Sequence, residues 1–379
     1  MILCEHGPGA EAALFDGAER LILAWQAVEV GPALVAADAA LAAGKWVAGY
    51  LAYEAGLALE PRLCGLMPDG CRGPLLALGV YSGPVAADGL LARAAAEADR
   101  VRLPAFHGLT ARADYDRAMQ RIAEYLAAGD TYQINLTFAA ESRLEAGSAL
   151  GLYGKLRALQ PVGFGAYCDL GVGPVVVSRS PELFFSVDSG GMISARPMKG
   201  TAPRGSDPSE DAEFAEVLFR SEKARAENLM IVDLLRNDMS RLCEVGSVKV
   251  PELFAVEAFA TVHQMSSRVV GKLAGQPGLA GLMRALFPCG SVTGAPKIRA
   301  MEIIAELEAR ARGVYCGAVG WMAPDGQATF SVAIRTLEVA GDRVLLNVGG
   351  GVVADSTAQG EWEEAWWKAR FVTGLAGRA

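Results

Sequence analysis

Apolar residues recur at helical spacing through residues 114–128 (Tyr115, Met119, Ile122, Leu126), and the run stops at Gly129-Asp130. That spacing puts the side chains on one face, so it predicts a helix closed by the glycine. A long helix is predicted from Pro208 to about Leu235. Asp207 is a good N-cap, Pro208 suits the first helical position, and Glu210 completes a capping-box pattern. Further helices are expected to open at Pro296 and to run from about Gly360 to the C-terminus, while 86–102 reads as a helix or a connection. Short β-like runs predict strands over 46–51, 132–138, 163–169, 175–178, 183–187, 315–322, 328–339 and 343–348. Strands interrupted by helices without a regular β-α-β rhythm predict an α+β architecture with large antiparallel sheets. There is no internal repeat. A soft break in composition near residue 105 sets a β-rich N-terminal subregion, 1–108, against the remainder, 109–379.

Composition narrows the function classes. Hydrophobic residues make up 52% of the 379 residues, ample for a sizeable core, and the net charge of −8 comes with no basic run. Nucleic acid and anionic membrane are therefore poor partners. The seven cysteines are scattered and show no CxxC spacing, which fits reduced thiols and neither a disulfide framework nor a zinc site. No signal peptide is expected from MILCEHGPGAE, and no apolar stretch is long enough to span a bilayer. A cytoplasmic location is expected.

Several clusters could carry chemistry. Lys199 lies between Pro197-Met198 and Gly200, which predicts an ammonium held on a tight turn; the bland reading is a solvent-facing lysine. Glu361, Glu364 and Lys368 share one face of the C-terminal helix, either as a surface ion pair or as oxygen ligands for Mg²⁺ beside an anion site. Glu227 is the natural third carboxylate; placed where its helix turns apolar, it is either a solvated boundary residue or faces a cleft. Gly290-Ser291-Val292-Thr293-Gly294-Ala295-Pro296-Lys297 is a glycine-rich turn feeding a helix, suited to an anion but lacking the spacing of a P-loop. Gly349, Gly350 and Gly351 let a backbone approach a ligand, or make a plain bulge or turn. Arg335 is a cation in an apolar strand and needs a buried partner, which a ligand carboxylate would supply. His263 reads alone as a structural histidine.

Taken in order, these segments resemble the chorismate-utilising enzymes, and within them the aminodeoxychorismate synthases. The likeness rests on Gly129-Asp130-Thr131-Tyr132-Gln133-Ile134-Asn135-Leu136, Ser180-Pro181-Glu182, Ala226-Glu227-Asn228-Leu229-Met230-Ile231-Val232-Asp233-Leu234, the 287–297 loop, Tyr315-Cys316-Gly317 and Ile334-Arg335-Thr336. It covers roughly residues 110 to 375, and it implies a sandwich of large antiparallel sheets with helices outside, with 109–379 as the catalytic part. It further implies that Mg²⁺ held by Glu227, Glu361 and Glu364 binds the ring carboxylate of chorismate, helped by Lys368 and the amides of Gly349 to Gly351. The metal would also assist departure of the ring hydroxyl at C4. Arg335 and Tyr315 would hold the enolpyruvyl carboxylate, and Thr293 and His263 would line the ring.

Lys199 discriminates within the family. The anthranilate synthase pattern is Pro-x-Ala-Gly-Thr, whereas the aminodeoxychorismate synthase pattern is Pro-x-Lys-Gly-Thr, which this chain has at 197–201. The implied reaction is covalent: Lys199 attacks C2 as the C4 hydroxyl leaves, then ammonia enters C4 and expels the lysine. Glu182 matches a carboxylate that shuttles protons. The product would be 4-amino-4-deoxychorismate, in the 4-aminobenzoate branch of folate biosynthesis. No glutaminase triad is visible, so ammonia would come from a separate glutamine amidotransferase subunit. The rival readings are anthranilate synthase component I and a non-catalytic relative that only binds the glutaminase. Loss of the metal carboxylates would mark such a relative, and all three are present.

Overall fold

A computed structural model describes residues 1–258 and 262–375. Two ten-stranded sheets, antiparallel at every strand pairing, carry the fold. The first runs from Gly294–Ala295 through Gln133–Arg143, Arg343–Val352, Thr336–Ala340, Val175–Ser180 and Phe164–Cys168 to Ile2–Cys4, Ala13–Phe15 and Val85–Ala86. The second runs from Met198–Pro203 through Val262–Lys272, Met192–Arg196, Leu183–Val187, Ala328–Val332 and Ala318–Met322 to Trp46–Leu51, Leu76–Tyr81 and Arg20–Ala24. The sheets meet face to face where Ile2, Phe15 and Val176 of the first pack with Tyr50, Tyr81 and Trp321 of the second. Helices cover the outer faces, as the α+β reading expects.

Residues 1–108 do not stand apart. They supply strands to both sheets, and Leu3, Ile22 and Leu78 share one core with Val269, Leu286 and Val344. His107–Gly108 itself pairs with Gln133–Arg143.

Four departures from the predicted elements shape the cleft. The single helix expected from Pro208 is two, Pro208–Arg220 and Glu222–Ser240. Ser221 between them is extended, and its hydroxyl accepts from the Ala224 amide to cap the second helix. The run predicted over 328–339 breaks at 333–335, where the chain leaves one sheet for the other and Arg335 takes a left-handed φ of 50°. The glycine triplet is neither turn nor bulge: it lies inside Arg343–Val352, in register with Thr137, Leu136 and Asn135. Lys199 is likewise on a strand, Met198–Pro203, at a sheet edge. The register shifts between Met198 and Thr201, and Gly200 supplies a φ of 82°, so the lysine sits on an edge bulge instead of a tight turn.

Candidate active site

The helix Ala358–Thr373 is capped by Thr357, whose hydroxyl accepts from the Gly360 amide at 3.1 Å. Trp362 fixes its rotation by stacking on Phe138 (ring centroids 4.3 Å apart) and meeting Tyr115 edge-on at 5.0 Å. With that face buried, Glu361, Glu364 and Lys368 turn into a cleft of ≈230 Å³. Glu227 of helix Glu222–Ser240 lines the same cleft, with Lys199, Glu182, Tyr315, Arg335, Gly349 and Gly351. Two clefts of ≈650 Å³ lie elsewhere and share Glu306, Glu308, Arg310 and Arg312. They are larger, yet none of the predicted site residues lines them.

Burial sets the charges of the smaller cleft. Lys199 Nζ donates to the Ser291 carbonyl at 3.3 Å. Its pKa lies below the ordinary lysine value because burial disfavours the ammonium, a pull that Glu182 opposes and Lys368 reinforces. Glu182 is only 4% exposed, and burial pushes its pKa up to about 7 against the Ser291 hydroxyl and Lys199. One of its carboxyl oxygens, Oε1, has no hydrogen-bond partner among the described residues. Burial raises Glu227 and Glu361 as well, although Ser356 donates to Glu361 at 2.6 Å. Burial pushes Glu364 upward too, but Lys368 at 2.7 Å outweighs it, so this carboxylate stays below its usual range.

Arg335 is the opposite case. Burial alone acts on it, lowering its pKa, and its side chain has no ion pair or hydrogen bond among the described residues. A cation enclosed without a partner is costly, and a ligand carboxylate would relieve it. The glycine strand completes the other end. Its neighbour Thr336–Ala340 pairs only as far as Leu346, so among the described residues no strand covers that edge along 347–352. A Cβ on Gly350 would stand 3.0 Å from Glu361 Oε2 and 3.2 Å from Lys368 Nζ, so only glycine leaves that space open.

Of the predicted residues, His263, Thr293 and Gly350 are not among those lining the cleft, and the first two are held elsewhere. His263 Nε2 lies 2.8 Å from Asp211 Oδ1, the carboxylate that Arg204 also grips. The strand alternates, so its neighbour Gln264 faces the cleft while His263 faces away. Thr293 is fully buried and donates to the Cys289 and Gly290 carbonyls at 3.2 Å, locking its own loop. Thr261, in the same motif as His263, lies outside the described residues. Ser291 and Asn135, which the sequence motifs contain without assigning them a role, also line the cleft, and so does Lys223, which no motif marked. Gln133, beside Gly351, carries a fully buried amide with neither polar atom bonded among the described residues. Gln133 shares one face of the alternating stretch 132–138 with Asn135 and Thr137, and that polar face was the signal available for it.

The three carboxylates line one cleft but do not form a ready-made cage: among the described residues, no group of three or more His, Cys, Asp or Glu is gathered closely enough to hold an ion. Their chemistry still fits a hard cation. They are oxygen donors, and burial disfavours the charge of all three, a cost that a divalent ion would offset.

A family model described as chorismate binding enzyme matches residues 6–374. The chain belongs to the chorismate binding enzyme family. Among relatives within and around this family, aminodeoxychorismate synthase component 1 of Escherichia coli is 43% identical over 257 residues, 68% of this chain and 56% of that protein. Aminodeoxychorismate synthase of Streptomyces griseus is 44% identical over 258 residues, 68% of this chain and 35% of that protein. Anthranilate synthase component 1 of Streptomyces coelicolor is 42% identical over 282 residues, 73% of this chain and 55% of that protein. The matched part thus spans between a third and a little over half of these relatives. The fold matches that of anthranilate synthase component I from Streptococcus pneumoniae, with a TM-score of 0.80 at 24% identity over 95% of this chain and 91% of that one. The menaquinone-specific isochorismate synthase of Escherichia coli has the same fold, with a TM-score of 0.75 at 17% identity over 99% and 88% of the two chains.

Proposed function

We propose that this chorismate binding enzyme aminates chorismate at C4, giving 4-amino-4-deoxychorismate through a covalent Lys199 intermediate. The observation that carries the reading is the place of Lys199, whose ammonium shares a 230 Å³ cleft with Glu182, Arg335 and three carboxylates. Chorismate bears two carboxylates, and the cleft offers two cationic seats, Arg335 and Lys368, on different elements. Arg335 takes the enolpyruvyl carboxylate with Tyr315 beside it. The ring carboxylate goes toward Lys368 and the open glycine edge. Mg²⁺ held by Glu227, Glu361 and Glu364 would supply charge neutralisation and Lewis acidity there.

Burial lowers the pKa of Lys199 and so favours the neutral amine that attack requires. Its nitrogen bonds to C2, the ring double bonds shift, and the C4–O bond breaks. Glu182, with a pKa near 7, supplies the proton that lets the oxygen leave as water and takes one from the lysine nitrogen. Ammonia then bonds to C4, the ring double bonds shift back, and the C2–N bond breaks with its electron pair on the Lys199 nitrogen, which takes up the proton that the new C4 ammonium gives up through Glu182. Relatives named component 1 imply a second component; we assign it as a glutamine amidotransferase that supplies the ammonia, and the pathway as 4-aminobenzoate and folate synthesis in the cytoplasm.

The test is product analysis by mass spectrometry after incubating the chain with chorismate, Mg²⁺ and an ammonium salt. The expected product is 4-amino-4-deoxychorismate without pyruvate. Anthranilate with equimolar pyruvate would overturn the reading in favour of the anthranilate synthase chemistry of the equally similar relative from Streptomyces coelicolor.

A further inference from the structure

Arg312 is buried, with 2% of its surface exposed, and its guanidinium spans several elements. Nε and Nη2 donate to the two oxygens of Glu308 at 2.8 and 2.7 Å. Nη1 donates to the Val292 carbonyl at 2.9 Å, and Nη2 also to the Asn135 carbonyl at 2.7 Å. The Tyr53 ring lies 4.4 Å from the guanidinium carbon. The backbone is held too, since Glu54 accepts from its amide and Asn347 donates to its carbonyl. Glu308 is fixed in turn by the amide and hydroxyl of Thr137.

A charge taken out of water costs stability unless its partners are well placed, and here the placement links two separate segments. Val292, Asn135 and Asn347 all line the cleft described above. Val292 directly follows Ser291, whose carbonyl accepts from Lys199 and whose hydroxyl lies against Glu182. On its other side Arg312 lines both larger clefts, so it forms the wall between them and the site.

We propose that Arg312 is a positioning residue that bolts the Cys289–Thr293 loop to strand Gln133–Arg143, and so holds the Ser291 carbonyl where it aims Lys199. A lysine in its place keeps the charge for Glu308, but a single ammonium on a flexible stem cannot reproduce the planar fork that reaches both carbonyls. The consequence for catalysis rests on Lys199 being the attacking group; the consequence for the loop does not.

The test compares Arg312→Lys with Tyr53→Leu, which removes the ring behind the guanidinium but leaves its four hydrogen bonds. With chorismate and ammonium, Arg312→Lys should consume chorismate with kcat lowered about 10²-fold, the scale of an ångström-sized misplacement. Its KM should stay within about threefold, the signature of lost alignment and not lost binding. Hydrogen exchange of the peptide covering 289–293 should quicken in Arg312→Lys and stay unchanged in Tyr53→Leu, although both unfold at lower temperature. Wild-type kcat and unchanged exchange in folded Arg312→Lys would overturn the proposal. So would losses of activity in both variants that simply track their melting temperatures. If the wild type consumes no chorismate, the amination reading falls, and the exchange comparison still decides the role of Arg312.

Discussion

Replacing Arg335 by methionine should weaken the chorismate complex and strengthen the empty protein, two effects of opposite sign from one change. Methionine keeps an unbranched stem of similar reach, and it meets the same left-handed backbone penalty as arginine at φ 50°, so the charge is the main variable. A charge-assisted hydrogen-bonded pair contributes about 1.5–3 kcal/mol, which corresponds to a loss of roughly 10- to 150-fold in affinity. In the empty protein the guanidinium has no partner among the described residues, and burial alone acts on it. The residue keeps part of its surface in solvent, so the several kcal/mol of a fully buried lone ion reduce to about 1 kcal/mol. For a chain of this size that raises the melting temperature by roughly 1–2 °C. Calorimetric titration with chorismate and thermal unfolding without it read the two terms separately. Unchanged affinity, or a lower melting temperature in the empty variant, would refute the picture of an unpaired cation waiting for a carboxylate.

Other expectations follow from the same geometry. Glu54, Glu182 and Glu338 are buried, and each is pushed by burial from 4.5 to about 7. The unfolded chain releases these protons near 4.5 while the folded chain keeps them to about 7, so stability should fall as pH rises between those values. Thermal unfolding from pH 4.5 to 7 checks this, and a rising melting temperature over that window would contradict it. Adding Mg²⁺ to the substrate-free protein should raise its melting temperature, by about 2.7 kcal/mol of stability at a hundred times Kd, and Glu361→Gln should lose most of that gain. An equal response in the variant would remove Glu361 from the metal site. Asp238→Asn should cost about 3 kcal/mol in urea unfolding, because it removes the counter-charge paired at 2.5 Å with the mostly buried Lys297, whose other partner is the neutral Leu286 carbonyl at 2.8 Å. A loss below about 1 kcal/mol would show that water reaches that pair.

The fold class was legible because its signals are local. The helix at Arg112–Ala128 ends on Gly129, as the apolar spacing and the glycine require, and Pro296 caps the helix Lys297–Leu307. What escaped depends on contacts distant in sequence. Ser221 divides a continuous helical pattern because its hydroxyl serves better as a cap than as an interior residue. Arg335 looked like a strand residue and instead marks where the chain changes sheets. The backbone at Lys199 and at the glycine triplet differs from the turn the sequence suggests, since turn-forming residues also make bulges and open edges in sheets. His263 was drawn into the site by its motif, but strand alternation turns it toward Asp211. Arg312 gave no sign at all. It sits in a charged stretch, Glu306 to Arg312, that reads as a solvated surface until Val292, Asn135 and Tyr53 are brought around it from far along the chain.

The central claim is that the Lys199 amine attacks the substrate, and turnover of Lys199→Ala tests it most directly. With chorismate, Mg²⁺ and ammonium, this variant should bind chorismate yet form 4-amino-4-deoxychorismate at least about 10³-fold more slowly than the wild type, the scale on which losing a nucleophile exceeds losing a contact. Formation of that product at the wild-type rate would contradict the covalent step.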